Sequence, residues 1–322
     1  MSVVRAVLLT VLLALLALVA PPAGAVEPLH STGYVYGDAP ESLIARDGHA
    51  FSTLGVDGVT LSPRGTRVST TDGRMAALAH THGLRAELLV SNYSDRLGDF
   101  DPRAGARLLR DPAHVEAVAG QLATAAAAQG WDGIQVDLES LRRGDADGLL
   151  ALVTRLQQLL PAEKTVSIAV MASDRAEEYV ARGYRLAELG AAVDSLALMT
   201  YDQHGPWSGP GPVGALPWQR RAVAVVTTVV PAAKVDLGVA GYGYTWPGGR
   251  TVSPKQARQL VARDGATARW RDGAGEWTAR LSDGTRLWWS DARSVALRQE
   301  LAGDLGLHGI ALWRLGSADP LR

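Results

Sequence analysis

Short apolar segments alternate with longer segments rich in Ala, Leu and Arg along most of the chain. The apolar segments predict eight strands, at Thr32–Tyr36, Gly58–Leu61, Leu84–Val90, Gly133–Leu138, Thr165–Met171, Ser195–Thr200, Val235–Ala240 and Gly309–Trp313. The segments between them predict helices, among them Pro112–Gln129, Ala146–Leu160, a helix near Ala176–Leu189 and Asp291–Leu305. Strands that alternate with helices in this way are typical of a parallel α/β sheet.

Eight such units in about 280 residues fit a closed barrel better than an open sheet. An open, doubly wound sheet is the alternative, but no predicted strand is followed by the Gly-x-Gly-x-x-Gly turn that would support it. We therefore predict an α/β protein with the (β/α)8 TIM-barrel architecture.

One segment, at about residues 247–290, interrupts the alternation after the seventh strand. It begins with a short helix, Pro254–Arg263, which is followed by three strand-like pieces at Thr267–Arg271, Glu276–Leu281 and Thr285–Trp289. Turns of the DGAG and SDG type join these pieces. We expect a small α+β insertion between strand seven and helix eight, on top of the barrel and without independent stability.

The N-terminal segment differs from the rest of the chain. Arg5 supplies a positive charge, residues 6–20 are apolar apart from one Thr, and Pro21-Pro22 precedes the small residues Ala23-Gly24-Ala25. This pattern predicts a signal peptide over residues 1–25. An uncleaved membrane anchor is the alternative, although a span needs about 20 apolar residues. We expect the remaining domain, residues 26–322, to be secreted or held at the cell wall.

Composition narrows the class of protein further. Hydrophobic residues are 47% and charged residues 20% of the chain, which is ordinary for a globular protein. The net charge of −1 argues against a nucleic acid partner. The chain has no cysteine, and a domain of this size buries enough surface to be stable without disulfides. We expect a monomer that needs no cofactor.

The fourth predicted strand carries an unusual row of polar residues. Side chains alternate along a strand, so Gln135, Asp137 and Glu139 share one face, which would point into the barrel. Strands of a parallel barrel are normally almost entirely apolar. Burying a carboxylate without a partner costs on the order of several kcal/mol. Two close carboxylates also raise one pKa, which favours a general acid. An antiparallel strand with one face in water is the alternative interpretation.

The same residues resemble a known enzyme family. Asp132–Glu139 (DGIQVDLE) resembles the DGxDxDxE signature of glycoside hydrolase family 18, the chitinase-like enzymes. Leu198–Asp202 (LMTYD) is similar to the Met-x-Tyr-Asp motif of its sixth strand, and Leu237–Tyr242 is similar to its seventh strand. Gly309–Trp313 resembles its eighth strand, with the terminal Trp. The agreement in order and spacing extends from about residue 31 to the end of the chain.

The resemblance implies a mechanism in which the substrate supplies the nucleophile. Glu139 would protonate the glycosidic oxygen and then act as base toward water. Asp137 would orient the 2-acetamido group of the sugar and stabilise the charge that forms on it. Tyr201 would hydrogen-bond the acetamide oxygen, with support from Asp202, and Trp313 would lie under the sugar ring. The partner is therefore expected to be a polysaccharide that contains N-acetylglucosamine.

One residue departs from the family signature. The middle Asp of the motif is Gln135 here, which can still hydrogen-bond Asp137 but cannot take its proton. This change affects the expected rate and pH optimum more than the presence of activity, because Glu139 is retained. We expect Gln135 to be one of the substrate-binding residues.

Further substrate contacts are expected at strand ends and in loops. Barrel sites are built at the carboxyl ends of the strands, where Tyr36, Asn92, Met199 and Tyr242 lie. Trp207 lies in a loop, where an indole can stack on a sugar ring. We expect no metal site, because the pair His80-x-His82 falls at a helix end on the outside of the barrel and no His-Glu-x-x-His motif is present.

Two further segments, His204–Trp218 and Trp288–Ser294, look most like the bacterial family branch of spore-cortex and spore-germination glucosaminidases. This branch favours peptidoglycan over chitin as the substrate. The chain is thus expected to cleave β-1,4 linkages of N-acetylglucosamine polymers with retention of configuration. A carbohydrate-binding protein on the same barrel, without turnover, is the alternative.

Overall fold

The computed structural model describes residues 29–321, and eight parallel strands within them close into a barrel. Each strand pairs with its neighbours in chain order, and the last pairs with the first. The strands are β1 (His30–Tyr36), β2 (Thr53–Thr60), β3 (Arg85–Ser91), β4 (Gly133–Asp137), β5 (Thr165–Met171), β6 (Ser195–Met199), β7 (Val235–Ala240) and β8 (Gly309–Trp313). The predicted (β/α)8 architecture is confirmed.

Ten α-helices accompany the strands within residues 29–321. They are Glu41–Asp47, Arg74–Thr81, Pro102–Leu109, Pro112–Gln129, Ala146–Leu159, Ala176–Ala181, Leu186–Ala192, Leu216–Val226, Pro254–Asp264 and Ala292–Asp304. The longest shows why its ends were predictable. Asp111 caps its first turn by accepting a hydrogen bond from an amide, proline occupies its first position, and Gly130 ends it with a φ of 74°.

Three elements of the barrel and its surrounding helices differ from the sequence-based prediction. β2 begins at Thr53, whereas the prediction began it at Gly58. The first part of the strand was not recognised because Gly55 and Asp57 interrupt its apolar pattern. The helix expected near Ala176–Leu189 is two helices, since Gly183 between them adopts a φ of 78°. The helix Pro102–Leu109 was not predicted, because it is only two turns long.

The barrel separates an apolar outside from a partly polar inside. The outward residues of β4, Ile134 and Val136, are fully buried in the main hydrophobic core, which also contains residues of the surrounding helices. The inside holds buried polar residues, including Glu87, Gln135 and Asp236. The alternation predicted for β4 is therefore present, and the interior supplies polar groups along the barrel axis.

The insertion between β7 and the helix Ala292–Asp304 is a five-stranded antiparallel sheet with one helix, Pro254–Asp264. Its strands, in sheet order, are Thr251–Val252, Gly243–Trp246, Arg286–Trp289, Glu276–Arg280 and Arg269–Arg271. The first two of these were not predicted, and the sheet starts ahead of the predicted boundary at residue 247. The predicted α+β insertion is otherwise confirmed.

A buried ion pair attaches this insertion to the barrel. Glu276 accepts hydrogen bonds of 2.8 Å from the amides of Val213 and Gly214, in the loop after β6. The guanidinium of Arg298 lies 3.3 Å from the same carboxylate, and both side chains are almost completely buried. The insertion, this loop and the helix Ala292–Asp304 therefore share one polar anchor.

The predicted signal peptide, residues 1–25, lies outside the described residues. Within residues 29–321, no helix combines the length and the hydropathy that a bilayer span requires.

Candidate active site

The carboxyl end of β4 places two carboxylates at the mouth of the barrel. Asp137 is the last residue of the strand and is 7% exposed, with its side chain inside the barrel. Glu139 follows two residues later, where the chain leaves the strand. Both predicted catalytic carboxylates thus lie at the end of the barrel where TIM-barrel sites are built.

A narrow pocket at this end brings together five of the residues predicted from the sequence. Its lining includes the predicted residues Gln135, Asp137, Met199, Tyr201 and Trp313. These residues come from β4, the end of β6 and β8, which are far apart in the sequence. The barrel therefore unites the strand-four signature, the LMTYD segment and the terminal tryptophan in one cavity.

The backbone of Glu139 is held by a buried asparagine. The amide of Glu139 donates a 2.9 Å hydrogen bond to Oδ1 of Asn92, and Nδ2 of Asn92 donates to the Glu139 carbonyl at 2.9 Å. The same nitrogen also donates to the carbonyl of Asp101 at 3.0 Å. Asn92 is 1% exposed, so its polar atoms are committed to protein groups. Asn92 therefore positions Glu139, whereas the sequence had suggested a substrate contact.

Backbone strain marks the same region. Among residues 29–321, two residues other than glycine have a positive φ, Ser140 and Asp202, both at 58°. Ser140 directly follows Glu139, and Asp202 directly follows Tyr201. Strained backbone of this kind costs about 1–3 kcal/mol and persists where the surroundings enforce it, often at functional sites.

Burial sets the protonation of the two carboxylates. Burial raises the pKa of Glu139 well above its ordinary value, and the nearby charges of Asp137 and Asp202 raise it further. The pKa of Asp137 is also raised, first by burial and then by the charge of Asp57. Asp137 Oδ1 is buried and has no hydrogen-bond partner within the described part of the chain. Both carboxyl groups thus lose their protons at higher pH than exposed carboxyl groups do, and one oxygen of Asp137 is available to a ligand.

Asp202 forms part of a tyrosine cluster. Its Oδ1 accepts hydrogen bonds from the hydroxyls of Tyr242 at 2.6 Å and Tyr244 at 2.9 Å. The ring of Tyr242 also meets that of Tyr201 edge-on, with 6.3 Å between centroids. Asp202 thus supports Tyr201 indirectly, through ring packing. The hydroxyl of Tyr242 donates its hydrogen bond to Asp202, so the geometry does not favour a direct contact between this hydroxyl and the substrate.

Gln135 does not make the hydrogen bond to Asp137 that its side chain would allow. Its Oε1 accepts a 2.7 Å hydrogen bond from the hydroxyl of Tyr34, and its Nε2 donates to Oγ of Ser167 at 3.1 Å. Both partners lie inside the barrel, on β1 and β5. The amide of Gln135 therefore satisfies its donor and its acceptor with neutral hydroxyls, one on the adjacent strand β5 and one on β1 across the barrel, and not with Asp137.

Aromatic side chains pack around Trp313, and a further aromatic side chain lies in the loop after β6. The ring of Trp313 packs against Tyr34 at 5.5 Å and meets Tyr36 edge-on at 6.1 Å. Tyr36 is 41% exposed and lies under the guanidinium of Arg314, 4.1 Å away. Trp207 is 65% exposed in the loop after β6. Tyr36 and Trp207 thus offer exposed aromatic surface, as a sugar-binding cleft requires.

Three residues near the site were missed at the level of sequence. Asp57, in the middle of β2, has its pKa raised to about 6 by burial, against the opposing charge of Arg314. Tyr34 and Tyr244 hold Gln135 and Asp202, as described above. An inward polar residue in the middle of β2 was the available signal for Asp57, and it was lost when the strand was started at Gly58. The strand irregularity between Asp57 and Val59 is a bulge of the kind found beside active sites.

The histidine pair on the outside of the barrel has a structural partner. His80 Nε2 lies 2.8 Å from Oδ2 of Asp132 and both side chains are partly exposed. This contact gives His80 a salt-bridge geometry at the barrel surface.

A parallel barrel in which Asp137, Tyr201 and Trp313 line one pocket, with Glu139 two residues beyond Asp137, matches the site expected of a barrel glycosidase. Residues 98–318 match the model of the glycosyl hydrolases family 18, and the chain therefore belongs to this family. The family predicted from the DGIQVDLE, LMTYD and GIALW segments is confirmed.

Three relatives show how broad the similarity is. The chain is 23% identical to the uncharacterized glycosylase YvbX of Bacillus subtilis, over 89% of this chain and 87% of that protein. It is 27% identical to the cortical fragment-lytic enzyme of Bacillus subtilis, over 86% of this chain and 67% of that protein. A chitinase from Chromobacterium violaceum superposes with a TM-score of 0.82 at 28% identity, covering 90% of this chain and 95% of that one. The predicted relation to the spore-cortex branch is confirmed.

Proposed function

We propose that the protein is an exported glycosidase that cleaves β-1,4 linkages next to N-acetylglucosamine, with retention of configuration. The observation that carries this proposal is the pocket lined by Asp137, Tyr201 and Trp313, together with Glu139, which follows Asp137 by two residues and whose pKa is raised by burial. Family 18 enzymes use the acetamido group of the substrate in place of a protein nucleophile. The residues around the pocket supply each group that such a reaction needs.

The proposed roles follow from the positions of the groups. Glu139, whose pKa burial keeps high, donates its proton to the glycosidic oxygen as the bond breaks and then removes a proton from water. Asp137, with its free Oδ1, accepts a hydrogen bond from the acetamido N–H and stabilises the positive charge that develops on the cyclised sugar. Tyr201 donates to the acetamide oxygen and Trp313 forms the floor under the ring.

The loss of the middle acidic residue alters how Asp137 is controlled. Gln135 is tied to Tyr34 and Ser167, so it takes no proton from Asp137 during the reaction. The charge that influences Asp137 comes instead from Asp57 on β2. We therefore propose that Asp57 is a positioning residue, whose charge adds to the effect of burial in raising the pKa of Asp137.

Peptidoglycan is the proposed natural substrate, and the wall the proposed place of action. The support is the similarity to a cortical fragment-lytic enzyme, together with the predicted signal peptide. Chitin is the second candidate because a chitinase shares the fold at 28% identity. Both polymers contain N-acetylglucosamine, so the chemistry proposed for the pocket is the same for either.

The test is hydrolysis by the purified protein beside its Glu139→Gln variant. Soluble N-acetylglucosamine oligomers and peptidoglycan glycan strands are incubated with each, and the products are measured by mass spectrometry. We expect Glu139→Gln to lower the rate about 10²–10⁴-fold, the usual contribution of a general acid. Glu188→Gln, an exposed glutamate on the helix Leu186–Ala192, is the matched control and should keep full activity.

A different outcome would favour the other candidate. Binding of the oligomers without cleavage would identify a carbohydrate-binding protein on this barrel. Cleavage at equal rates by the wild type and Glu139→Gln would instead show that Glu139 is not the general acid. Cleavage of oligomers but not of peptidoglycan would move the substrate proposal to chitin.

A further inference from the structure

Two histidines and one aspartate face each other at the amino-terminal end of the barrel, opposite the pocket. His30 is the first residue of β1, Asp236 is the second residue of β7, and His308 directly precedes β8. In the strand register, His30 lies beside Gly309, and Gly309 lies beside Asp236. The cluster thus spans the three strands where the barrel closes on itself.

The distances within this cluster are those of a potential metal site. Oδ1 of Asp236 lies 2.8 Å from Nδ1 of His308 and 3.5 Å from Nδ1 of His30. One ligand atom from each of the three residues lies within 4.8 Å of the others. A tetrahedral zinc ion with bonds of about 2.0–2.1 Å separates its ligand atoms by about 3.3 Å. Small ring rotations would therefore bring the three atoms around one ion.

His30 has a nitrogen without a partner at this position. Its Nε2 lies 3.0 Å from the hydroxyl oxygen of Thr53, which fixes the ring. Its Nδ1 is buried and has no hydrogen-bond partner among residues 29–321. Metal-binding histidines commonly show this arrangement, in which one nitrogen is held by a hydrogen bond and the other faces the ion.

The carboxylate in the centre is suited to a cation. Asp236 is 3% exposed, and its Oδ1 faces the imidazoles of both His30 and His308. The two histidine rings stack on each other with 4.5 Å between centroids. A negative oxygen between two imidazoles offers the mixed nitrogen and oxygen ligands that zinc accepts.

Gly309 keeps the space around this carboxylate open. A Cβ atom at this position would lie 2.9 Å from Oδ1 of Asp236 and 1.9 Å from the carbonyl oxygen of His30. A side chain cannot be fitted between the two potential ligands. On the other side the cluster reaches solvent, because the His30 and His308 side chains are 25% and 35% exposed. Water can therefore complete the coordination of an ion.

We propose that His30, Asp236 and His308 bind one divalent transition-metal ion of the zinc type, with solvent as the fourth ligand. The ion would tie β1, β7 and β8 together at the barrel seam and act on stability. Its ligands come from opposite ends of the chain, so no spacing motif indicated them and the sequence predicted no metal. The proposal does not depend on the proposed glycosidase activity.

The test uses the full chain without a histidine tag, after treatment with a chelator. Titration with zinc sulfate, followed by calorimetry, should give one ion per chain, and Tm should rise with zinc concentration. His30→Gln and His308→Gln should each weaken zinc binding at least tenfold. His80→Gln is the matched control, because His80 also faces an aspartate at 2.8 Å but without a second histidine, and it should bind zinc as the wild type does.

X-ray absorption by the zinc-loaded wild type tests the same site without any variant. The expected spectrum has two imidazole nitrogens and at least one carboxylate oxygen around the ion. The proposal is overturned by the absence of saturable binding, by unchanged binding in both His30→Gln and His308→Gln, or by a spectrum without two imidazoles. Circular dichroism shows whether each variant is folded, and the wild-type spectrum decides if one is not.

Discussion

Replacing Asn92 with Ala separates positioning of the catalytic carboxylate from binding of the sugar. Asn92 makes three hydrogen bonds at 2.9–3.0 Å, two of them to the backbone of Glu139. Its side chain is buried and its polar atoms are used within the protein. Asn92→Ala therefore releases Glu139 without removing a group that faces the substrate.

The size of the effect follows from the bonds that are lost. A buried amide left without its acceptor costs about 1–3 kcal/mol, and each 1.36 kcal/mol added to the barrier is tenfold in rate. If this cost falls on the position of Glu139 in the transition state, kcat falls about 5- to 150-fold. The free energy of unfolding should fall by about 2–4 kcal/mol, since three hydrogen bonds worth about 1 kcal/mol each are removed.

Steady-state kinetics on N-acetylglucosamine oligomers measures kcat and KM for Asn92→Ala. We expect kcat to fall while KM changes less than about threefold, because uniform substrate binding is unaffected. Gln129→Ala is the control, since Gln129 also makes two amide hydrogen bonds, to Thr71 and Trp131, but at the end of a helix that leads into the start of β4. It should lower stability and leave kcat unchanged. A rise in KM with unchanged kcat in Asn92→Ala would refute the positioning role and restore the substrate contact suggested by the sequence.

Three other changes have defined outcomes. Asp57→Asn removes a charge that helps to raise the pKa of Asp137. The acid limb of the kcat/KM profile, where Asp137 gains its proton as pH falls, should therefore move to lower pH. The shift should be visible above about pH 6, where Asp57 itself is ionised, and an unmoved limb would contradict the coupling. Arg298→Met leaves Glu276 buried without its cation and should lower the free energy of unfolding by about 3–5 kcal/mol in denaturant titration. Arg155→Met, which breaks an exposed ion pair, should have little effect. Equal effects of the two variants would show that the buried anchor is unimportant. Trp207→Ala removes an exposed aromatic ring and should raise KM for long glycans about fivefold with kcat retained, and an unchanged KM would place the sugar elsewhere.

The part of the site that could be predicted from sequence lies on single strands. The alternation of β4 indicated that Asp137 would point into the barrel, and the apolar residues between the polar ones were correctly assigned to the outside. The segment LMTYD and the terminal Trp313 were recognised by family resemblance, and the barrel brings them to the same pocket. Local period and short motifs were sufficient here because each residue is placed by its own strand.

Contacts between strands could not be predicted in the same way. Gln135 was assigned to Asp137, its neighbour on the strand, but its amide is satisfied by Tyr34 and Ser167 from β1 and β5. Asn92 was expected to face the sugar, yet it holds the backbone at Glu139. Hydrogen-bond partners of buried amides depend on which strands are neighbours and at which register. That information is absent from the order of residues along the chain.

The central claim is that the substrate supplies its own nucleophile while Glu139 supplies the proton. The most direct measurement compares cleavage of N-acetylglucosamine oligomers with cleavage of the same oligomers bearing a free amine on the sugar that would form the cyclised intermediate. We predict that the acetylated oligomer is cleaved with retention of configuration and that the free-amine oligomer reacts at least about 10³-fold more slowly, because a well-placed internal nucleophile is lost. Comparable rates for the two substrates would contradict the account.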